Sequence, residues 1–142
     1  MNQSTEKSNS INLSPYKDIF EAAEKGTIED INNFFGETKT NVRKLVEDGE
    51  TPLHRAVSKN SNIDITKYLI SQGANVNAVN EKGETPLHGA VRYSNAEVVK
   101  CLISQGADVN ANMWNFYYGT GTPLSYAKTE DIKSILREAG AQ

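Results

Sequence analysis

The sequence predicts an all-α helical solenoid of about four helix–turn–helix repeats joined by β-hairpin-like loops. Three observations carry this. First, Thr51-Pro52-Leu53-His54 returns 34 residues later as Thr85-Pro86-Leu87-His88, and 37 residues after that as Thr122-Pro123-Leu124-Ser125. Second, Ile70-Ser71-Gln72-Gly73-Ala74-Asn75-Val76-Asn77-Ala78 returns as Ile103-Ser104-Gln105-Gly106-Ala107-Asp108-Val109-Asn110-Ala111. Third, apolar columns extend the period to four units: Ile31, Ile65, Val98 and Ile132 are separated by 34, 33 and 34 residues. Two linked words at one period mark a chain of stacked supersecondary units.

Each element follows from local chemistry. The column Ile19, Leu53, Leu87 and Leu124 is followed three residues on by Ala22, Ala56, Ala90 and Ala127. It defines a first helix, whose small alanines allow close approach to a second. Thr followed by Pro supplies an N-cap and then the position where a missing N–H costs nothing. In the first unit Lys17 and Asp18 stand in that place. Gly26 between the first pair of helices is matched by Asn60 and by Asn95 or Ser94, which predicts left-handed turns there. Thr27 with Asp30 forms a capping pair for the second helix of that unit. The second helices show apolar residues at i, i+3 and i+4, as in Ile31/Phe34/Phe35, Ile65/Tyr68/Leu69, Val98/Cys101/Leu102 and Ile132/Ile135/Leu136. That spacing is one stripe of a helix. Gly73 and Gly106 then stop the helix at C′, and Asn75 to Glu84, with Gly83 near its end, reads as an extended hairpin. The domain is expected over residues 15–142, with repeats at about 16–48, 49–82, 83–119 and 120–142. Residues 1–14, rich in Ser and Asn without periodicity, read as a disordered leader.

Composition removes whole classes of function. The 142 residues are 37% hydrophobic and 23% charged, within the globular range. With 15 Lys+Arg against 18 Asp+Glu, the formal net charge is −3, so no cationic surplus exists to coat duplex nucleic acid. The single cysteine, Cys101, makes no internal disulfide, which fits a reducing compartment. No apolar run is long enough to span a membrane, and the first ten residues lack the apolar core of a secretory signal. A cytoplasmic protein is expected, with export by a route lacking such a signal as the alternative.

No catalytic constellation emerges. His54 and His88 lie one repeat apart without a recurring third ligand, whereas a catalytic zinc site needs three protein ligands. Cys101 sits inside an apolar stripe, where a thiol packs as a small hydrophobe. Gly119-Thr120-Gly121 lacks the strand and lysine of a phosphate loop. No enzyme activity, cofactor or metal is expected.

The period near 33, the Thr-Pro-Leu-His opening and the Gly-Ala-(Asn/Asp)-Val-Asn close resemble the ankyrin repeat. The resemblance covers about Tyr16 to Ala141, is most specific in the two middle units, and makes the divergent ends terminal caps. It implies that each histidine braces its own Thr-Pro turn and the neighbouring hairpin backbone. It also implies a concave ligand surface. On that surface the hairpin tips would present Leu45, Glu47, Asp48, Glu50, Val79, Glu81, Lys82 and Glu84. The first helices would add Ser58, Lys59, Arg92 and Tyr93.

One departure from the period singles out a site. Val76 to Thr85 is 9 residues but Val109 to Thr122 is 13, so the hairpin between the last two units carries four extra residues. The excess lies within residues 112–121, which include Met113, Trp114, Phe116, Tyr117 and Tyr118. Two readings stand. The aromatic insertion anchors a partner, since Trp and Tyr are frequent interface anchors, or it folds back to seal a last unit that has lost about three residues between its helices. The function expected is a non-catalytic protein–protein interaction module, either an adaptor or an inhibitor of the immunity type. The alternative is a small ligand or single-stranded nucleic acid stacked on the aromatic rings. A monomer is expected, with dimerisation through the tip as the variant.

Overall fold

The computed structural model describes residues 16–35, 49–59, 62–93, 95–117 and 119–142. The leader expected at 1–14, and the candidates Leu45, Glu47, Asp48, Asn60, Ser94 and Tyr118, lie outside them. Among the described residues eight helices and one two-stranded sheet form four units. The first unit holds α1 (Ile19–Lys25) and α2 (Ile28–Phe35), the second α3 (Pro52–Lys59) and α4 (Ile63–Ser71). The third holds α5 (Pro86–Arg92) and α6 (Ala96–Ser104). A hairpin of β1 (Met113–Asn115) and β2 (Gly119–Gly121) then leads to α7 (Pro123–Tyr126) and α8 (Glu130–Glu138).

The first helices α1, α3, α5 and α7 stack in one row, and the second helices α2, α4, α6 and α8 stack in another. The columns read from the sequence are the core between the rows. Ile31, Ile65, Val98 and Ile132 are buried, as are Leu53 and Leu87 and all four column alanines. A helix of seven to nine residues is marginal alone, so apolar burial between neighbouring units holds each one.

The turns agree with the sequence in part. Thr27 and Asp30 make a full capping pair: the Thr27 N–H donates to Asp30 Oδ2 at 2.8 Å, and the Asp30 N–H to Thr27 Oγ1 at 3.2 Å. Gly73 and Gly106 hold φ of +96° and +94° just past α4 and α6. The left-handed turn expected at Gly26 is absent, because its φ is −91° and its backbone is extended. Gly26 is instead needed for space: a Cβ would lie 2.7 Å from the Ala22 carbonyl oxygen and 2.9 Å from Tyr16. Asn95 is likewise no left-handed residue. With φ −96° it is the N-cap of α6, and its Oδ1 accepts from the Val98 N–H.

The loop from Asn75 to Glu84 forms turns and not paired strands. Asn80 organises it, with Oδ1 accepting from the N–H groups of Lys82 and Glu84, both at 2.9 Å. Side-chain amides also lace successive units. Asn77 Nδ2 donates to the Gly106 carbonyl and its Oδ1 accepts from the Asp108 N–H. Asn110 does the same with the Gly140 carbonyl and the Gln142 N–H. The last first-row helix, α7, has only four residues, matching the residues missing from that unit.

Candidate functional site: the aromatic hairpin and the face beside it

Strand alternation sorts the inserted residues. β1 and β2 pair antiparallel, with Met113 opposite Gly121, Trp114 opposite Thr120 and Asn115 opposite Gly119. Successive side chains of a strand point to opposite faces, so Met113 turns in and Trp114 turns out. Met113 is 1% exposed, against 69% for Trp114. At the tip Phe116 and Tyr117 are 83% and 86% exposed and meet edge to face, their ring centres 5.7 Å apart. Two corrections follow. Met113, expected among the contacts, is buried beneath the hairpin and presents no surface of its own. The described rings, Trp114, Phe116 and Tyr117, do not fold back to seal the last unit.

Both legs of the hairpin are held. On the β1 side the Trp114 backbone lies against Gly83, where a Cβ would come within 2.9 Å of the Trp114 carbonyl oxygen and 3.0 Å of its nitrogen. Gly83 also has φ of +78°, so glycine answers two demands at once. On the β2 side His88 Nε2 meets the Gly121 carbonyl at 3.1 Å.

The face beside the hairpin is charged and internally paired. Arg55 joins Glu50 at 2.6 Å through Nε and Glu24 at 3.4 Å through a terminal nitrogen. Glu84 occupies the place before Thr85 that Glu50 occupies before Thr51, and it pairs with Arg92. The Arg92 guanidinium also stacks on Tyr126, 5.4 Å from the ring centre. Tyr126 is fixed by two more neighbours: the His88 ring meets it at a steep angle 6.1 Å away, and Gly121 leaves no room for a Cβ against it. Lys82, Glu84, Arg92 and Tyr126 line a cavity of about 400 Å³.

The remaining sequence-predicted residues divide by exposure. Lys59, Val79, Glu81, Lys82 and Tyr93 are exposed, and Ser58 and Arg92 are half-buried. Glu50 is half-buried in the Arg55 pair. Glu84 requires a correction as well. It is buried at 7% exposure because Arg92 and Asn80 enclose it, so it lines the cavity from beneath instead of standing out from the face. Sequence reasoning missed Arg55, Glu24, Asn80 and Tyr126. Tyr126 had a signal, because it falls in the column of Glu21, Arg55 and Gly89, where no other unit carries a ring.

The histidines brace turns. The Thr51 and Thr85 N–H groups donate to Nδ1 of His54 and His88 at 3.2 and 3.1 Å. Nδ1 is therefore the unprotonated nitrogen, and Nε2–H donates to the Glu84 and Gly121 carbonyls respectively. Burial pushes both imidazoles below their usual pKa. Cys101 is buried, and burial pushes its thiol up, away from the thiolate a nucleophile needs. Among the described residues no three His, Cys, Asp or Glu side chains gather to hold a metal ion. No described helix is long and apolar enough to cross a membrane.

A family model described as ankyrin repeats in three copies matches residues 19–113, the first three units up to the start of β1. No curated protein matches the sequence.

Proposed function

The chain belongs to the ankyrin repeat family, whose members are generally non-enzymatic modules that bind other proteins, and from this premise we propose that it docks a protein partner through its aromatic hairpin and the concave face beside it. The observation that carries the reading is the outward display of Trp114, Phe116 and Tyr117 on a hairpin with both legs fastened. Exposed apolar clusters of this kind mark interaction sites, and a surface ordered before contact loses little entropy on docking.

Area favours a two-part surface. Three aromatic side chains bury roughly 150–250 Å² each at most, short of the roughly 800 Å² per partner of a standard interface. The hairpin therefore supplies the anchors, and Tyr93, Arg92, Lys82, Glu81, Lys59 and Ser58 supply the surrounding contact. The same shortfall favours a monomer over a dimer built on the tip alone. Arg55 and Arg92 are paired with carboxylates, which favours a protein over a single-stranded nucleic acid needing a cationic track. An adaptor and an inhibitor use this surface alike; what the partner loses on docking separates them. The buried free thiol of Cys101 agrees with a reducing compartment such as the cytoplasm.

The test is capture from lysate by the wild type beside a Trp114/Phe116/Tyr117→Ala variant, with circular dichroism and melting on both. A partner held by the wild type and lost by a folded variant is the expected result. A partner retained by the triple variant would move the site away from the hairpin.

A further inference from the structure

We propose that the open side of the Arg92 guanidinium receives a carboxylate of the protein partner, seated in the cavity between Lys82 and Tyr126. The inference rests on the docking surface proposed above and names the chemistry of one of its contacts.

The same face already shows the arrangement once. Arg55 holds two carboxylates, Glu50 from the loop before its own helix and Glu24 from the preceding unit. Arg92 holds the matching loop carboxylate, Glu84, and among the described residues no second one. A guanidinium carries five N–H donors in a planar fork, and the Arg92 side chain remains about a third exposed.

Glu84 does not repel a second acid from this place as a bare carboxylate would. One of its oxygens faces Arg92 and the other meets Asn80 Nδ2 at 3.4 Å. Stacking on Tyr126 holds the guanidinium in position, so little side-chain freedom is lost when the seat fills. Tyr126, the last residue of the four-residue α7, forms one wall of the cavity. Its wall is continuous with the hairpin through Gly83, which follows Lys82 and packs on the Trp114 backbone.

The test is selection of random peptides displayed on phage against the intact chain. Enriched peptides are expected to share one Asp or Glu. Changing that residue to its amide should weaken binding about tenfold on the wild type and have no effect on an Arg92→Gln variant. Should Arg92→Gln melt, Lys82→Glu takes its place: it should weaken the acidic peptide about tenfold and leave the amide peptide unchanged. An equal loss on the wild type and Arg92→Gln, or no discrimination by Lys82→Glu, overturns the seat. Peptides without a common acid that are lost on Trp114→Ala overturn the seat but keep the docking surface. Failure to enrich any peptide overturns both.

Discussion

His54 Nε2–H donates 3.0 Å to the backbone carbonyl of Glu84, a residue 30 positions away whose carboxylate pairs with Arg92. One imidazole thus ties the start of α3 to the loop that supports the charged face. His88 repeats the tie one unit on, to Gly121. On the other side of each ring Nδ1 accepts the Thr51 or Thr85 N–H, and that bond needs Nδ1 bare and the ring neutral. Because burial lowers both folded-state pKa values, the unfolded chain binds more protons just below the ordinary histidine pKa of about 6.5. Stability is then fully present above about pH 6.5 and is lost as the pH falls through the lowered values. Melting temperature should drop between about pH 7 and 5, and a His54→Gln/His88→Gln variant should show a flatter profile over that window. An unchanged slope in the variant would assign the loss to carboxylates.

Met113 and the tip aromatics should separate cleanly by stability. Met113→Ala empties a buried site and should cost about 2–5 kcal/mol. Phe116→Ala and Tyr117→Ala, both at exposed positions, should stay within about 0.5 kcal/mol of the wild type. Urea denaturation monitored by circular dichroism measures all three.

Two glycines with similar φ should differ in their tolerance of alanine. Gly106 has φ of +94° and open space where a Cβ would be added, so Gly106→Ala carries only the backbone cost, about 1–2 kcal/mol. Gly83→Ala adds a collision with the Trp114 backbone and should cost more than about 2 kcal/mol. The second variant should also shift Trp114 fluorescence; the first should not.

Thr66 in α4 is fully buried, and its hydroxyl has no hydrogen-bond partner among the described residues. An unsatisfied buried hydroxyl is costly, and valine has nearly the same shape. Thr66→Val should therefore stabilise the chain by about 1 kcal/mol, read as a higher urea midpoint at unchanged slope.

The helices and their core were legible because a 3.6-residue stripe and a repeat period are properties of composition along the chain. Ile31, Ile65, Val98 and Ile132 needed no partner to be recognised. Turns were less legible. Gly26 and Asn95 both fit a left-handed turn by residue type, yet one serves clearance and the other an N-cap. The choice depends on which backbone lies opposite. The site divided in the same way. Four extra residues and a cluster of rings pointed to the hairpin, but Met113 was grouped with its exposed neighbours because strand alternation requires knowing that 113–115 pair with 119–121. The Arg55 and Arg92 pairs join residues from different elements, and nothing in their sequence spacing announces them.

The fastening of the hairpin at Gly83 and at His88 has a thermodynamic consequence for the last unit. β2 runs directly into α7, at four residues the shortest of the described helices, so the hairpin is attached to the helix with the fewest backbone bonds of its own. Opening of α7 and α8 would release Gly121 from His88 and Tyr126 from Arg92, and the tip would lose its orientation. Any partner that grips the oriented rings must therefore raise the free energy of that opening by the amount it discriminates against the loosened tip. Occupancy at one end of the hairpin and fraying at the other are therefore linked variables.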